Sequence, residues 1–179
     1  MGSQTNIVLV GPMGSGKSAV GKQLARELDL DFVDSDAEIE KRTGVDISYI
    51  FEKEGEAGFR VREREMIAEL ANRQGIVLAT GGGAVLEPDN RHRLTDCGTV
   101  VYLQTTIEQQ LERTRHTRHR PLLLDRDPET VLNELMEIRA PLYEEVSDVT
   151  VKTGGRRVGA VVSEIRKALV NYDSTALKK

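Results

Sequence analysis

The chain has 179 residues, 39% of them hydrophobic and 30% charged, with a formal net charge of −4. That length suits one compact unit rather than several, and the mild negative charge excludes a global attraction to nucleic acid or to an anionic membrane, so any anion site must be a local basic cluster. The single cysteine, Cys97, excludes an internal disulfide framework and fits a reducing compartment.

In chain order, Asn6 to Val10 is a short apolar, β-branched run that reads as a buried strand. A glycine-rich turn follows, from Gly11 to Gly16. Between Lys17 and Leu28, apolar residues recur at helical spacing (Val20, Leu24, Ala25, Leu28). Asp31 to Asp34 reads as a second strand. Short helical pieces are predicted over Asp36 to Lys41 and Ile47 to Lys53, and a longer amphipathic helix over Arg60 to Asn72. Gly75 to Thr80 is the third strand, stopped by three glycines, and Thr99 to Leu103 the fourth. Thr105 to Arg113 and Pro128 to Val146 read as helices, the second interrupted at Pro141. Val149 to Val151 is a fifth strand, Val158 to Val170 a closing helix, and a polar tail ends the chain. Strands alternating with helices predict a parallel sheet covered on both faces. No apolar run approaches the roughly 20 residues of a membrane span, no signal pattern opens the chain, and Met1 to Asn6 only half resembles a myristoylation signal, since Asn6 stands where Ser or Thr is required. A cytoplasmic protein with no membrane or nucleic-acid partner is the expectation.

Gly11-Pro12-Met13-Gly14-Ser15-Gly16-Lys17-Ser18 satisfies G-x-x-x-x-G-K-[ST] between a strand and a helix, the context this phosphate-binding loop needs. Its glycines let backbone N–H groups turn inward around phosphate oxygens, and the helix that follows adds its positive end. Lys17 contributes a full charge near the β- and γ-phosphates. The Ser18 hydroxyl is a hard ligand for Mg²⁺. A guanine-reading Asn-Lys-x-Asp segment is missing, and the third strand does not end in Asp, which argues against switch and motor proteins and for a compact kinase. Asp34-Ser35-Asp36 ends the second strand, where ligands of open parallel sheets bind. Asp36 reads either as a group that orients or deprotonates an acceptor hydroxyl or as a simple helix cap. Gly81-Gly82-Gly83 permits either a close approach by a ligand or a tight turn. Arg60 and Arg139 are candidates for a planar clamp on a carboxylate. Arg113 to Arg120 is the densest basic stretch. Without an interleaved aromatic for base stacking it reads better as a mobile lid carrying Arg120 to the transferring phosphoryl group. Arg156, beside Gly154-Gly155, is a candidate for the adenine side.

Taken together, these segments resemble shikimate kinases: Gly-Pro-Met-Gly-Ser-Gly-Lys-Ser at 11–18, Asp-Ser-Asp at 34–36, Gly-Phe-Arg at 58–60, Gly-Gly-Gly at 81–83, Arg-Pro-Leu-Leu at 120–123 and Arg-Ala-Pro-Leu-Tyr at 139–143. The resemblance implies a three-layer α/β P-loop kinase fold with a five-stranded parallel sheet, one unit over 1–173 with a substrate-binding helical insertion at about 34–62 and a lid at about 113–125, and a tail at 174–179. It implies transfer of the ATP γ-phosphate to the 3-hydroxyl of shikimate with Mg²⁺. Catalytic roles would fall to Lys17, Asp36 and Arg120. ATP would meet Gly14, Ser15, Gly16, Lys17, Ser18, Ala19, Arg113, Arg120 and Arg156. Shikimate would meet Asp36, Arg60, Gly81, Gly82, Gly83 and Arg139, and the metal Ser18 and Asp34. A monomer is expected. Another small-molecule kinase of this architecture, such as a gluconate or nucleoside-monophosphate kinase, and a nucleotide-regulated binding protein without catalysis are the competing readings.

Overall fold

The computed structural model describes the backbone of residues 5–116, 121–123 and 125–176, and their side chains up to residue 173. Five parallel strands run in the order β2-β3-β1-β4-β5: β1 (Asn6–Val10), β2 (Asp31–Asp34), β3 (Ile76–Ala79), β4 (Gly98–Gln104) and β5 (Val149–Lys152). Around them lie α1 (Lys17–Leu28), α2 (Ser35–Thr43), α3 (Ile47–Leu70), α4 (Pro88–Cys97), α5 (Ile107–Thr114), α6 (Pro128–Val146) and α7 (Val158–Ala176). Two short 3-10 turns, Ala84–Leu86 and Pro121–Leu123, complete the order.

The central position of β1 explains its unbroken apolar run. It pairs with β3 through Ile7↔Val77 and with β4 through Ile7↔Thr99, and all five of its residues are buried. Alternation along the strand then sorts its side chains. Ile7 and Leu9 join Val20 and Leu24 of α1 and Val161, Val162 and Ile165 of α7 on one face. Val8 and Val10 join Met66, Ile67 and Leu70 of α3, Leu94 of α4 and Tyr143 of α6 on the other. The parallel register brings the glycine-rich loop after β1, Asp34 at the end of β2 and Thr80-Gly81 after β3 to one edge.

Several elements depart from the sequence reading. The helix α4 was not foreseen: its segment PDNRHRLTDC is strongly polar and buries only Asn90 and Leu94, so apolar spacing leaves no trace. Pro88 at its start is the signal that was available. The two helical pieces expected around residues 47–72 form one longer element, broken only at Gly55 (φ 71°, ψ −179°). The interruption expected at Pro141 does not occur. Pro141 is exposed, while Arg139, Tyr143 and Val146 anchor the other side of α6, and the helix runs through it. Helix α7 continues to Ala176, beyond the expected Val170. No described helix is long and apolar enough to cross a membrane.

Candidate active site

The loop from Gly11 to Gly16 enters α1 through two left-handed residues, Gly14 (φ 77°) and Gly16 (φ 89°), a conformation that disfavours any side chain. The Lys17 ammonium is drawn back over the loop, donating to Gly11 O (2.6 Å) and Pro12 O (2.9 Å) and reaching Ser15 Oγ at 3.3 Å. Positive charge therefore sits inside the curve that phosphate would fill. A cleft of about 410 Å³ opens here, lined by Gly14, Gly16, Lys17, Ser18 and Ala19, with Asp34 and Arg113 at its rim. Ser15 is buried beneath the loop. Arg113, at the end of α5, donates to Gly14 O at 2.8 Å.

Asp34 and Asp36 divide two tasks. Asp34, and not Asp36, caps α2: its Oδ1 accepts from the N–H of Asp36 (3.0 Å) and of Ala37 (3.1 Å). Its Oδ2 accepts from the Ser18 hydroxyl at 3.0 Å, so two hard oxygens flank the phosphate loop. That donor set fits Mg²⁺, which binds through one or two protein oxygens and otherwise keeps water and nucleotide phosphates. Among the described residues no group of three or more His, Cys, Asp or Glu forms a metal cage, and a nucleotide-borne ion does not require one.

Asp36 forms a shared wall, with Met13, Gly81 and Gly82, between the phosphate cleft and a second cleft of about 400 Å³. This second cleft holds Arg60, Glu63, Gly83 and Arg139, with Phe51, Phe59 and Leu122 as apolar walls. Burial, and then the charges of Glu63 and Asp34, raise the Asp36 carboxyl from 3.8 to about 7, against the pull of Lys17 and Arg60.

Each glycine of the 81–83 turn faces one of these charged groups. A Cβ on Gly81 would lie 2.8 Å from Asp36 Oδ1 and 3.0 Å from Glu63 Oε2; one on Gly82 would lie 3.4 Å from Arg139 Nη1; one on Gly83 would lie 2.3 Å from Arg60 Nη2. None of the three has a positive φ. At Gly81 and Gly83 glycine is required for space, not for conformational freedom, while at Gly82 a Cβ would sit at ordinary contact distance.

Glu63 was missed by the sequence reading, because a glutamate inside a charged helix reads as solvated. It is fully buried, its Oε1 accepts from Arg60 Nη1 at 2.9 Å, and its Oε2 has no hydrogen-bond partner. Burial raises its pKa, against the charges of Arg60 and Arg139. Arg60 is further tied to Glu56 at 3.0 Å. Arg156 lines neither cleft; it donates to Lys152 O (3.0 Å) and pairs with Glu164 of α7. Arg120 lies outside the described residues, as do Thr117, Arg118 and His119.

Comparison with known proteins agrees with this geometry. The family model described as shikimate kinase matches residues 13–170. A shikimate kinase from Thioalkalivibrio sulfidiphilus is 58% identical over 167 residues, covering 93% of this chain and 88% of that protein. A shikimate kinase from Acinetobacter baumannii, solved in complex with shikimate, superposes with a TM-score of 0.92 at 48% identity and covers 94% of each chain. A gluconokinase from Sinorhizobium meliloti 1021, at 21% identity and a TM-score of 0.61 over 99% of this chain and 97% of its own, shares the fold alone. With a phosphate loop, a second cleft beside it and relatives of this identity over nearly its whole length, the chain belongs to the shikimate kinase family.

Proposed function

We infer that the protein transfers the γ-phosphate of ATP to the 3-hydroxyl of shikimate, giving shikimate 3-phosphate and ADP. The observation that carries this reading is the acceptor cleft itself: two arginines and two carboxylates converge on a glycine turn, one wall away from the phosphate loop. A small anion with several hydroxyls suits that arrangement, and the Acinetobacter baumannii relative was solved with shikimate.

In this reading Arg60 and Arg139 take the shikimate carboxylate, because planar guanidinium groups match a carboxylate fork. Glu63 and Glu56 hold Arg60 in place. Asp36 lies between donor and acceptor, receives the hydrogen bond of the attacking hydroxyl and takes its proton, for which a pKa of about 7 is well matched. Gly81, Gly82 and Gly83 let the acceptor approach the backbone. The N–H groups of Gly14, Gly16, Lys17, Ser18 and Ala19 surround the ATP phosphates, Ser15 closes the loop beneath them with its N–H on Pro12 O, and Lys17 stabilises charge on the transferring group. Arg120 is assigned the same task from the phosphoryl side on family resemblance, and Arg113 and Arg156 the adenine side. Arg156 must then leave Glu164 to serve there. Family membership implies Mg²⁺-ATP, and Ser18 and Asp34 are the residues that would hold the ion. Bound there, Mg²⁺ neutralises phosphate charge. A monomer is the expected working unit. One kinase unit over 1–173 and a cytoplasmic setting complete the reading.

The test is ADP release from ATP with shikimate, gluconate, AMP or CMP as acceptor. Shikimate alone is expected to stimulate turnover. No stimulation by shikimate overturns the assignment, and ATP binding without acceptor-dependent turnover favours a binding protein.

A further inference from the structure

Tyr143 belongs to the Arg-Ala-Pro-Leu-Tyr segment but has no part in the scheme above. It is wholly buried, its ring packs against Tyr102 of β4 with centroids 5.1 Å apart, and its hydroxyl makes a short hydrogen bond to Gly82 O. The Arg139 guanidinium lies one helical turn earlier on α6, and its charge acts on the same phenol. Arg139 is itself only 3% exposed, and its Nη1 lies 3.4 Å from where a side chain on Gly82 would begin.

The direction of this hydrogen bond is forced: a carbonyl oxygen only accepts, so the phenol gives its proton to Gly82 O. Burial pushes the Tyr143 hydroxyl well above the ordinary phenol value, which keeps that proton in place. Gly82 C=O and Gly83 N–H are two ends of one peptide, and donation to the carbonyl end polarises the amide end. The other carbonyls of the turn are occupied too: Gly81 O by Ala84 N, Gly83 O by Leu86 N, Ala84 O by Asn90, and Val85 O and Leu86 O by Arg91. By contrast, the N–H groups of Gly82 and Gly83 have no acceptor among the described residues. The turn is anchored through its carbonyls and leaves these two amides for a ligand.

We propose that Tyr143 is a positioning residue for the acceptor: its hydroxyl anchors the Gly82–Gly83 peptide through Gly82 O, so that the two open amides hold their place beside Arg139 when the acceptor carboxylate arrives. Tyr143 lines neither cleft, so it acts through this peptide. The inference rests on the reading of this cleft as the shikimate site.

The experiment measures KM for shikimate and for ATP, kcat and thermal stability in Tyr143→Phe, and in protein with 3-fluorotyrosine placed at position 143 alone. Phenylalanine keeps the packing against Tyr102 and removes the hydrogen bond to Gly82 O. Its KM for shikimate should rise about tenfold, the scale of one buried hydrogen bond. KM for ATP and kcat at saturating shikimate should stay within about twofold. Fluorotyrosine keeps the shape and strengthens the donor, so its KM for shikimate should fall below that of the unmodified protein. A shikimate KM unchanged in the variants, or rising equally with that for ATP, overturns the role of Tyr143 while leaving the shikimate assignment intact. If Tyr143→Phe does not fold, the fluorotyrosine protein decides, and an unchanged KM there overturns the role. Unmodified protein without shikimate-dependent ADP release overturns the assignment and this inference with it.

Discussion

At the scale of single residues, the glycines at 81–83 are defined by what presses on them. A Cβ on Gly83 would fall within 2.6 Å of three guanidinium atoms of Arg60, and Arg60 is pinned by Glu63 and Glu56. Gly83→Ala must therefore move Arg60. KM for shikimate should rise at least about tenfold, while KM for ATP stays level, since misplacing a binding group by about 1 Å costs one to two orders of magnitude. Steady-state kinetics with each substrate varied in turn checks this. Asp36 gives a pH-dependent prediction. Its carboxyl titrates at 3.8 in an ordinary setting and at about 7 in the fold. Between those values the folded chain keeps a proton that the unfolded chain has lost, so the stability this group contributes is full below pH 4 and is lost as pH rises towards 7. Asp36→Asn removes the penalty. In buffer without nucleotide or metal, the variant should exceed the parent by about 1 to 3 kcal/mol at pH 8 and by little at pH 4.5. Melting curves at the two pH values test the sign. Activity should fall steeply in the variant, and kcat/KM of the parent should climb to a plateau above about pH 7 as Asp36 ionises.

At the scale of elements, the cap of α2 and the break in α3 set the geometry of the site. Asp34 spends one oxygen on the cap and the other on Ser18. Asparagine retains capping ability, and alanine does not. Without metal, Asp34→Ala should lose about 1 kcal/mol of stability and Asp34→Asn much less. Both should need more Mg²⁺ for half-maximal activity, because each removes the carboxylate. Chemical denaturation and a Mg²⁺ titration separate the two roles. In α3, the stretch before Gly55 carries Ile47 and Phe51 to the acceptor cleft, and the stretch after it carries Phe59, Arg60 and Glu63. The rings of Phe51 and Phe59 meet at 4.9 Å, and Glu54 and Arg62 pair at 2.7 and 2.9 Å beside the break. Nothing lies within 4 Å of a Cβ built on Gly55, so Gly55→Ala is opposed only by its backbone, whose φ of 71° and ψ of −179° lie in a region that essentially only glycine adopts. A loss of about 1 to 3 kcal/mol is expected by denaturant titration.

At the scale of the molecule, two ligand clefts share the wall formed by Met13, Asp36, Gly81 and Gly82. The two sides of the sheet converge there: the phosphate loop leads into α1 on one face, and α3 and α6 bring the acceptor groups on the other. Each ligand should stabilise the fold by mass action, about 2.7 kcal/mol at one hundred times its dissociation constant. Thermal shifts with ADP and with shikimate should be separable. Their sum with both present, compared with each alone, measures coupling through the shared wall. A shift with ADP and none with shikimate would contradict the second cleft as an acceptor site.

The phosphate loop, the alternation of strands and helices and the parallel sheet were legible in the sequence alone, because a contiguous backbone motif and local hydrophobic spacing carry them. The order of the segments also carried the family. Tertiary structure decided what depends on burial and on contacts between distant segments. Helix α4 is too polar to announce itself, and α6 survives Pro141 because its inner side is anchored. Asp34 rather than Asp36 caps α2, which leaves Asp36 to the acceptor cleft. The glycine triplet, readable as either a turn or a close approach, is held open by Asp36, Glu63, Arg139 and Arg60, which α2, α3 and α6 bring to it. Glu63 becomes a buried partner of Arg60, and Tyr143 an anchor for Gly82, only once those helices pack on the sheet. Local sequence specifies a helix and its charges; only packing determines which of those charges leave water.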